Sequence, residues 1–162
     1  MDTLAERLDR IHLRVRAPGV EIYGELSDRE RIAISFGEDT YQWLAESRVE
    51  QALAAIARLL SAGWGQQYHQ AIRDSGLEVL SPELRDASYE QARAELTATG
   101  TSADGLVSFS AVNLRDFRVR VPPGTIRAVP EATFVASANE AAGALVADHM
   151  AKIRELKRRN FG

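Results

Sequence analysis

Apolar and polar positions along the chain change their period several times, and each change marks an element. Leu4, Leu8 and Ile11 recur at helical spacing, with Asp2, Glu6, Arg7, Asp9 and Arg10 on the other faces. That pattern predicts an opening helix halted by Pro18-Gly19. Val20 to Leu26 alternates like a half-buried strand, and Ser27-Asp28-Arg29-Glu30 is a polar turn. A second strand follows, with Ile32, Ile34 and Phe36 on one face and Arg31, Ala33 and Ser35 on the other. After a loop near residues 37–46, Ser47-Arg48-Val49-Glu50 has the form of a capping box. Val49, Leu53, Ile56 and Leu60 then trace one helical face, which continues through Trp64 and Tyr68 to Ile72 despite Gly63 and Gly65.

The same order recurs in the second half. Ser81-Pro82-Glu83 predicts a helix start, with serine as cap and proline in the first turn. Tyr89, Ala92 and Leu96 give this helix an apolar stripe as far as Gly100. Leu106 to Val112 reads as a strand; Phe117, Val119 and Val121, alternating with Arg118 and Arg120, read as its partner. Pro122-Pro123-Gly124 closes the hairpin, and a last helix begins either at Pro130-Glu131 or at Ser137-Ala138-Asn139-Glu140, a second S-x-x-E. Ile32/Ile34/Phe36 and Phe117/Val119/Val121 lie 85 positions apart, Asp28 and Asn113 keep that offset, and the two S-x-x-E sites lie 90 apart. The expected fold is α+β: two tandem α-β-β-α units, residues 1–76 and 77–162, with antiparallel sheet and flanking helices. Chance recurrence of the same element order is the alternative. Ile34, Phe36, Val119 and Val121 are expected in the core.

Composition narrows the function classes. At 162 residues with 45% apolar and 27% charged positions, the chain can bury a core without staples. It has no cysteine, so disulfides, thiolate nucleophiles and cysteine metal sites drop out. Met1-Asp2-Thr3-Leu4-Ala5-Glu6 lacks the basic start of a signal peptide, and no apolar run reaches the roughly 18 residues of a membrane span, so no membrane association and a cytoplasmic location are expected. The net charge of −3 gives no overall attraction to nucleic acid, and any such binding would have to be local.

Residues 95–107, Glu95-Leu96-Thr97-Ala98-Thr99-Gly100-Thr101-Ser102-Ala103-Asp104-Gly105-Leu106-Val107, resemble a junction found in the YbaB/EbfC family of bacterial nucleoid-associated proteins. There a helix ends in Leu-x-x-x-Gly and a small-residue loop leads into a Gly-Leu-Val strand. Asn139-Glu140-Ala141 is similar to that family's Asn-Asp-Ala on the final helix. The resemblance covers roughly residues 85–160 and reaches residues 4–72 through the internal repeat. Asn113-Leu114 stands where the family has Asn-Gly, Val121-Pro122-Pro123 replaces its Ile-Asp-Pro, and the N-terminal helix is short. The resemblance implies an intrachain pseudo-dimer, with both halves of a homodimer fused. It also implies a nucleoid location and double-stranded DNA gripped between projecting helices with weak sequence preference.

Two groups of cations are the candidate DNA contacts. Lys152, Arg154, Lys157, Arg158 and Arg159 form the densest cluster, and Arg7, Arg10 and Arg14 a second one on the opening helix, beside Arg16. Cations at a helix C-terminus also complement its dipole without binding anything. Arg118 and Arg120 point outward from a strand and meet a phosphate, an acidic partner or water. His12, His69 and His149 lack metal-ligand spacing, so no metal or cofactor is expected. Trp64 and Tyr68, one turn apart, suit packing better than base stacking. Glu83, Asp86 and Glu90 favour a helix start, and the phosphate-loop, dinucleotide and nucleophile-elbow motifs are absent. No enzymatic activity is expected. A protein-interaction or adaptor module on the same fold, acting as a pseudo-dimeric monomer or a homodimer, is the alternative to DNA binding, and the acidic pI of about 5.7 favours it.

Overall fold

In the computed structural model, which describes residues 3–74 and 87–161, each half of the chain forms a helix, three antiparallel strands, a short turn and a long helix. The first half runs α1 (Leu4–Asp9), β1 (Leu13–Arg16), β2 (Ile22–Ser27), β3 (Arg31–Phe36), a 3₁₀ turn (Tyr41–Trp43) and α2 (Glu46–Asp74). The second runs α3 (Ala87–Ala94), β4 (Thr97–Thr101), β5 (Ser108–Val112), β6 (Asp116–Arg120), α4 (Thr125–Ala128) and α5 (Glu131–Phe161). The sheets are ordered β1-β2-β3 and β4-β5-β6. The helix start expected at Ser81-Pro82-Glu83, the acids Glu83 and Asp86, and the 76/77 boundary lie outside the described residues.

Each half thus has one strand more than the expected α-β-β-α unit, and both extra strands have a physical reason for escaping a pattern search. β1 is four residues long, and its Leu13 and Val15 continue the apolar periodicity of a helix that in fact ends at Asp9. Arg14 and Arg16 therefore stand on a strand and not on the opening helix. β4 buries only Ala98 and Gly100 while exposing Thr97, Thr99 and Thr101, so it carries no large apolar signal. The helix expected to reach Gly100 ends at Ala94.

The long helices start at Glu46 and Glu131, so they keep the same 85-residue offset as the strands, in place of the 90 expected. Ser137 through Glu140 is helix interior. Both three-residue hairpin turns begin with two left-handed residues, Asp28 (φ 49) and Arg29 (φ 68) in one, Asn113 (φ 55) and Leu114 (φ 50) in the other. Asp and Asn tolerate that conformation; Arg29 and Leu114 take it at a cost. The Arg29 guanidinium is held by Asp9 at 2.7 Å and by the Ala5 carbonyl at 2.9 Å.

The helices are placed reciprocally. α2 packs on β1 and β2 of its own sheet and on β6 of the other; α5 packs on β4 and β5 and on β3. One apolar core joins both halves, from Ile22, Ile34 and Val49 to Phe109, Val121 and Phe134. Ile34 and Val121 are buried as expected, and Phe36 and Val119 are partly buried against the core. Phe36, Tyr41 and Phe134 form an aromatic cluster between the halves, with ring centroids 5.2 to 6.0 Å apart. Among the described residues, no helix is long and apolar enough to cross a membrane.

Polar side chains close the strand edges that this packing meets. Asn139 on α5 accepts the Ile34 N–H of β3 at 2.8 Å, and Glu50 on α2 accepts the Val121 N–H just past β6 at 2.7 Å. Asn139→Ala leaves the Ile34 amide without its acceptor, and a loss of about 1–3 kcal/mol in chemical denaturation is expected. An unchanged urea midpoint would show that water replaces the amide there.

Candidate functional site

The C-terminal cations singled out in the sequence sit on the last turns of α5, the others on α1, β1 and β6, and several have an acid beside them. On α5, Glu155 lies within one turn of Arg158 and Arg159 and pairs with both, at 3.1 and 3.4 Å. Lys152 pairs with Asp148 at 3.0 Å and donates to the Thr97 carbonyl at 2.8 Å, so it straps the helix to β4. Asp148 accepts the Thr99 N–H at 2.9 Å; that bond, and then Lys152, holds its carboxyl below the usual range. Arg154 and Lys157 are exposed and make no ion pair with a described residue.

The second group is dispersed. Arg7 approaches Asp74 at the end of α2, at 3.8 Å. Arg10 ends α1 and donates to the Glu6 carbonyl. Arg14, on β1, pairs with Glu25 at 3.6 Å and lies 5.0 Å over the Tyr23 ring. α1 packs on α2 and α3 on α5, so the N-terminal and C-terminal cations belong to different helix pairs. Arg118 and Arg120 are exposed on the outer face of β6, beside Ser110 and Ser108.

Other candidates resolve into structure. His12 faces Glu25 at 3.4 Å, and His69 abuts the Tyr68 ring. His149 is half-buried, and burial, reinforced by Arg93, pushes its pKa down against the pull of Asp148. Trp64 and Tyr68 pack together at 6.3 Å, Trp64 against the core. Glu90 is exposed on α3. Among the described residues, no three His, Asp or Glu side chains converge as a metal site. Asp104, in the loop that carries the family resemblance, accepts the hydroxyls of Ser102 and Ser137 and the Leu106 N–H, which hold its carboxyl below the usual range. Glu140 takes the neighbouring Ala103 N–H. Those bonds pin the β4–β5 loop to α5.

One concave feature was not singled out in the sequence. An open cleft of about 620 Å³ lies between the 3₁₀ turn and α4, its walls including Gln42, Trp43, Leu44, Glu46, Ile126 and Arg127. The turn is anchored by Tyr41, whose buried hydroxyl donates to the Val129 carbonyl at 2.8 Å. Burial, together with Glu131 and Glu46, raises the pKa of that hydroxyl. Glu46 opens α2 and accepts the Ile126 N–H at 3.2 Å; its own amide and then that of Ile126 keep it ionised. Trp43 stands on the rim, 80% exposed. Its signal in the sequence was an indole in a polar loop, on no apolar stripe.

No family model, curated protein or solved structure matches the chain.

Proposed function

We propose that the chain is a non-enzymatic protein-interaction module built from two fused YbaB-like units, whose helix ends no longer serve DNA. The constant 85-residue offset and the reciprocal placement of α2 and α5 support a pseudo-dimer. The observation that carries the functional reading is the local neutralisation of candidate cations: Glu155, Asp148 and Asp74 stand against Arg158 and Arg159, Lys152 and Arg7 on the helices, and Glu25 against Arg14 on β1. Duplex binding draws its affinity from cations that replace condensed counterions. A cation already paired within its own turn has less to offer a phosphate. The carboxylates of Asp104 and Glu46, both held below the usual range, are occupied with serine hydroxyls and backbone amides, which suits structural roles better than catalytic ones.

A nucleoid-associated DNA binder with weak sequence preference is the second reading, favoured by Arg154, Lys157, Arg118 and Arg120, exposed and without an acidic partner among the described residues. Titration against random-sequence duplex at about 50 mM salt separates the two. The interaction-module reading expects no binding. Binding with a log–log salt slope near about −3, flattened when Lys152, Lys157, Arg158 and Arg159 are replaced by alanine, would establish the DNA reading in its place.

A further inference from the structure

The geometry points to weak self-association of the chain through the Trp43 cleft, in an isologous contact where each copy's indole enters the cleft of the other. This goes beyond the protein-interaction reading, since it requires no second kind of chain.

The argument begins with exposure. Trp43 is 80% exposed, and the next large apolar side chain among the described residues, Leu59, reaches 44%. An indole left in water forgoes most of the 150–250 Å² it could bury. It is also held in place. Tyr41, two residues earlier, is buried and bonded to Val129, so the turn that presents the indole is fixed to the second half of the molecule.

Beside the knob is a hole, and the two halves differ there. The 3₁₀ turn and α4 occupy matching places in the two halves, and at the 85-residue offset the counterpart of Trp43 is Ala128. One half carries the largest side chain and the other a methyl group. The cleft opens beside the indole, walled by Leu44 and Ile126 as well as by the indole itself.

The charges of the cleft are complementary to themselves. Glu46 on one wall is kept ionised by backbone amides and, least of the causes, by the charge of Arg127 on the other; Arg127 stays exposed, and the two side chains close no ion pair within the chain. A two-fold axis through the cleft carries each acid toward the other copy's base and each indole toward the other copy's apolar walls. Knob, hole, acid and base on one patch are what an isologous contact requires. A partner of a single charge sign would leave either Glu46 or Arg127 facing its own sign.

Size sets the strength. Two indoles and the walls that cover them bury about 600–1,000 Å² in total, under the roughly 1,200 Å² of a stable complex. The contact is therefore transient.

Sedimentation equilibrium of the full chain from about 5 to 500 μM should show a monomer passing to a dimer. Trp43→Ala and Arg127→Glu should each weaken that passage at least about tenfold; Trp43 packs against nothing buried, and Arg127→Glu sets two acids against two. The chain has two tryptophans. In Trp64→Phe only Trp43 emits, and its emission should move to shorter wavelength over the same concentration range. A monomer at every concentration, a dimer equally stable in Trp43→Ala, or a dimer whose Trp43 emission stays that of a solvated indole would each overturn the proposal, the last two by placing the contact elsewhere.

Discussion

Replacing Gly100 by alanine is expected to cost about 3 kcal/mol or more, at the upper end of what overpacking does in a single site. Gly100 lies in β4 beneath α5. A methyl group built there meets the Ala141 carbonyl oxygen at 2.2 Å and the Leu145 nitrogen at 2.3 Å. Both are backbone atoms of a helix, so no rotamer change relieves the clash, and α5 must lift from the sheet. Lifting it strains the Thr99–Asp148 and Lys152–Thr97 bonds farther along the same helix. Gly24, in β2, gives the comparison. Its added methyl meets a side-chain atom, Ile56 Cγ2, and no helix backbone, so repacking of that buried side chain can take up part of the strain. Urea unfolding of both variants should therefore rank Gly100→Ala well below Gly24→Ala. If Gly100→Ala loses less than about 1 kcal/mol, α5 does not rest on β4 as closely as described.

Ile34→Ala should lose about 2–5 kcal/mol, the range for a large aliphatic side chain removed from a packed core. Ile34 is 5% exposed and shares an inward row with Val15 and Gly24, while its backbone N–H is held by Asn139 from the other half of the chain. The amide bond survives the substitution, so the measured loss reports the side chain alone. Ala33, next in sequence, faces outward and is exposed; Ala33→Thr should change stability by less than about 0.5 kcal/mol. Equal losses from the two variants would mean that the assigned faces of β3 are reversed.

These two positions also mark how far the fold could be read from the sequence. β3 and β6 were legible because one face of each is buried under a helix and the other is wet, which forces strict alternation. β4 was not legible for the reason that makes Gly100 sensitive: a helix backbone lying directly on a strand admits only small inward residues, and small residues carry no hydrophobic period. β1 was masked by a helix that ends three residues before it. S-x-x-E misled at Ser137 because Ser137 and Glu140 serve the β4–β5 loop, a tertiary task that produces the same letters as a cap.

The candidate site divides similarly. Lys152 with Asp148, and Arg158 and Arg159 with Glu155, are spaced three or four apart and were open to a helical reading of the charges. Arg7 with Asp74 depends on the docking of α1 on α2, and the Trp43 cleft depends on two segments 85 residues apart coming together. Neither has a local signature.

The capped strand edges bear on how this protein behaves when crowded. A bare edge is a template for strand addition, the route to domain-swapped polymers and cross-β fibres. Asn139 occupies an outward amide of β3, Asp148 and Lys152 occupy an amide and a carbonyl of β4, and Glu50 takes the amide that follows β6. β1 is another edge, and at four residues it is short, which itself limits strand addition. These capping bonds leave fewer free backbone groups from which the chain, when concentrated, could template its own stacking.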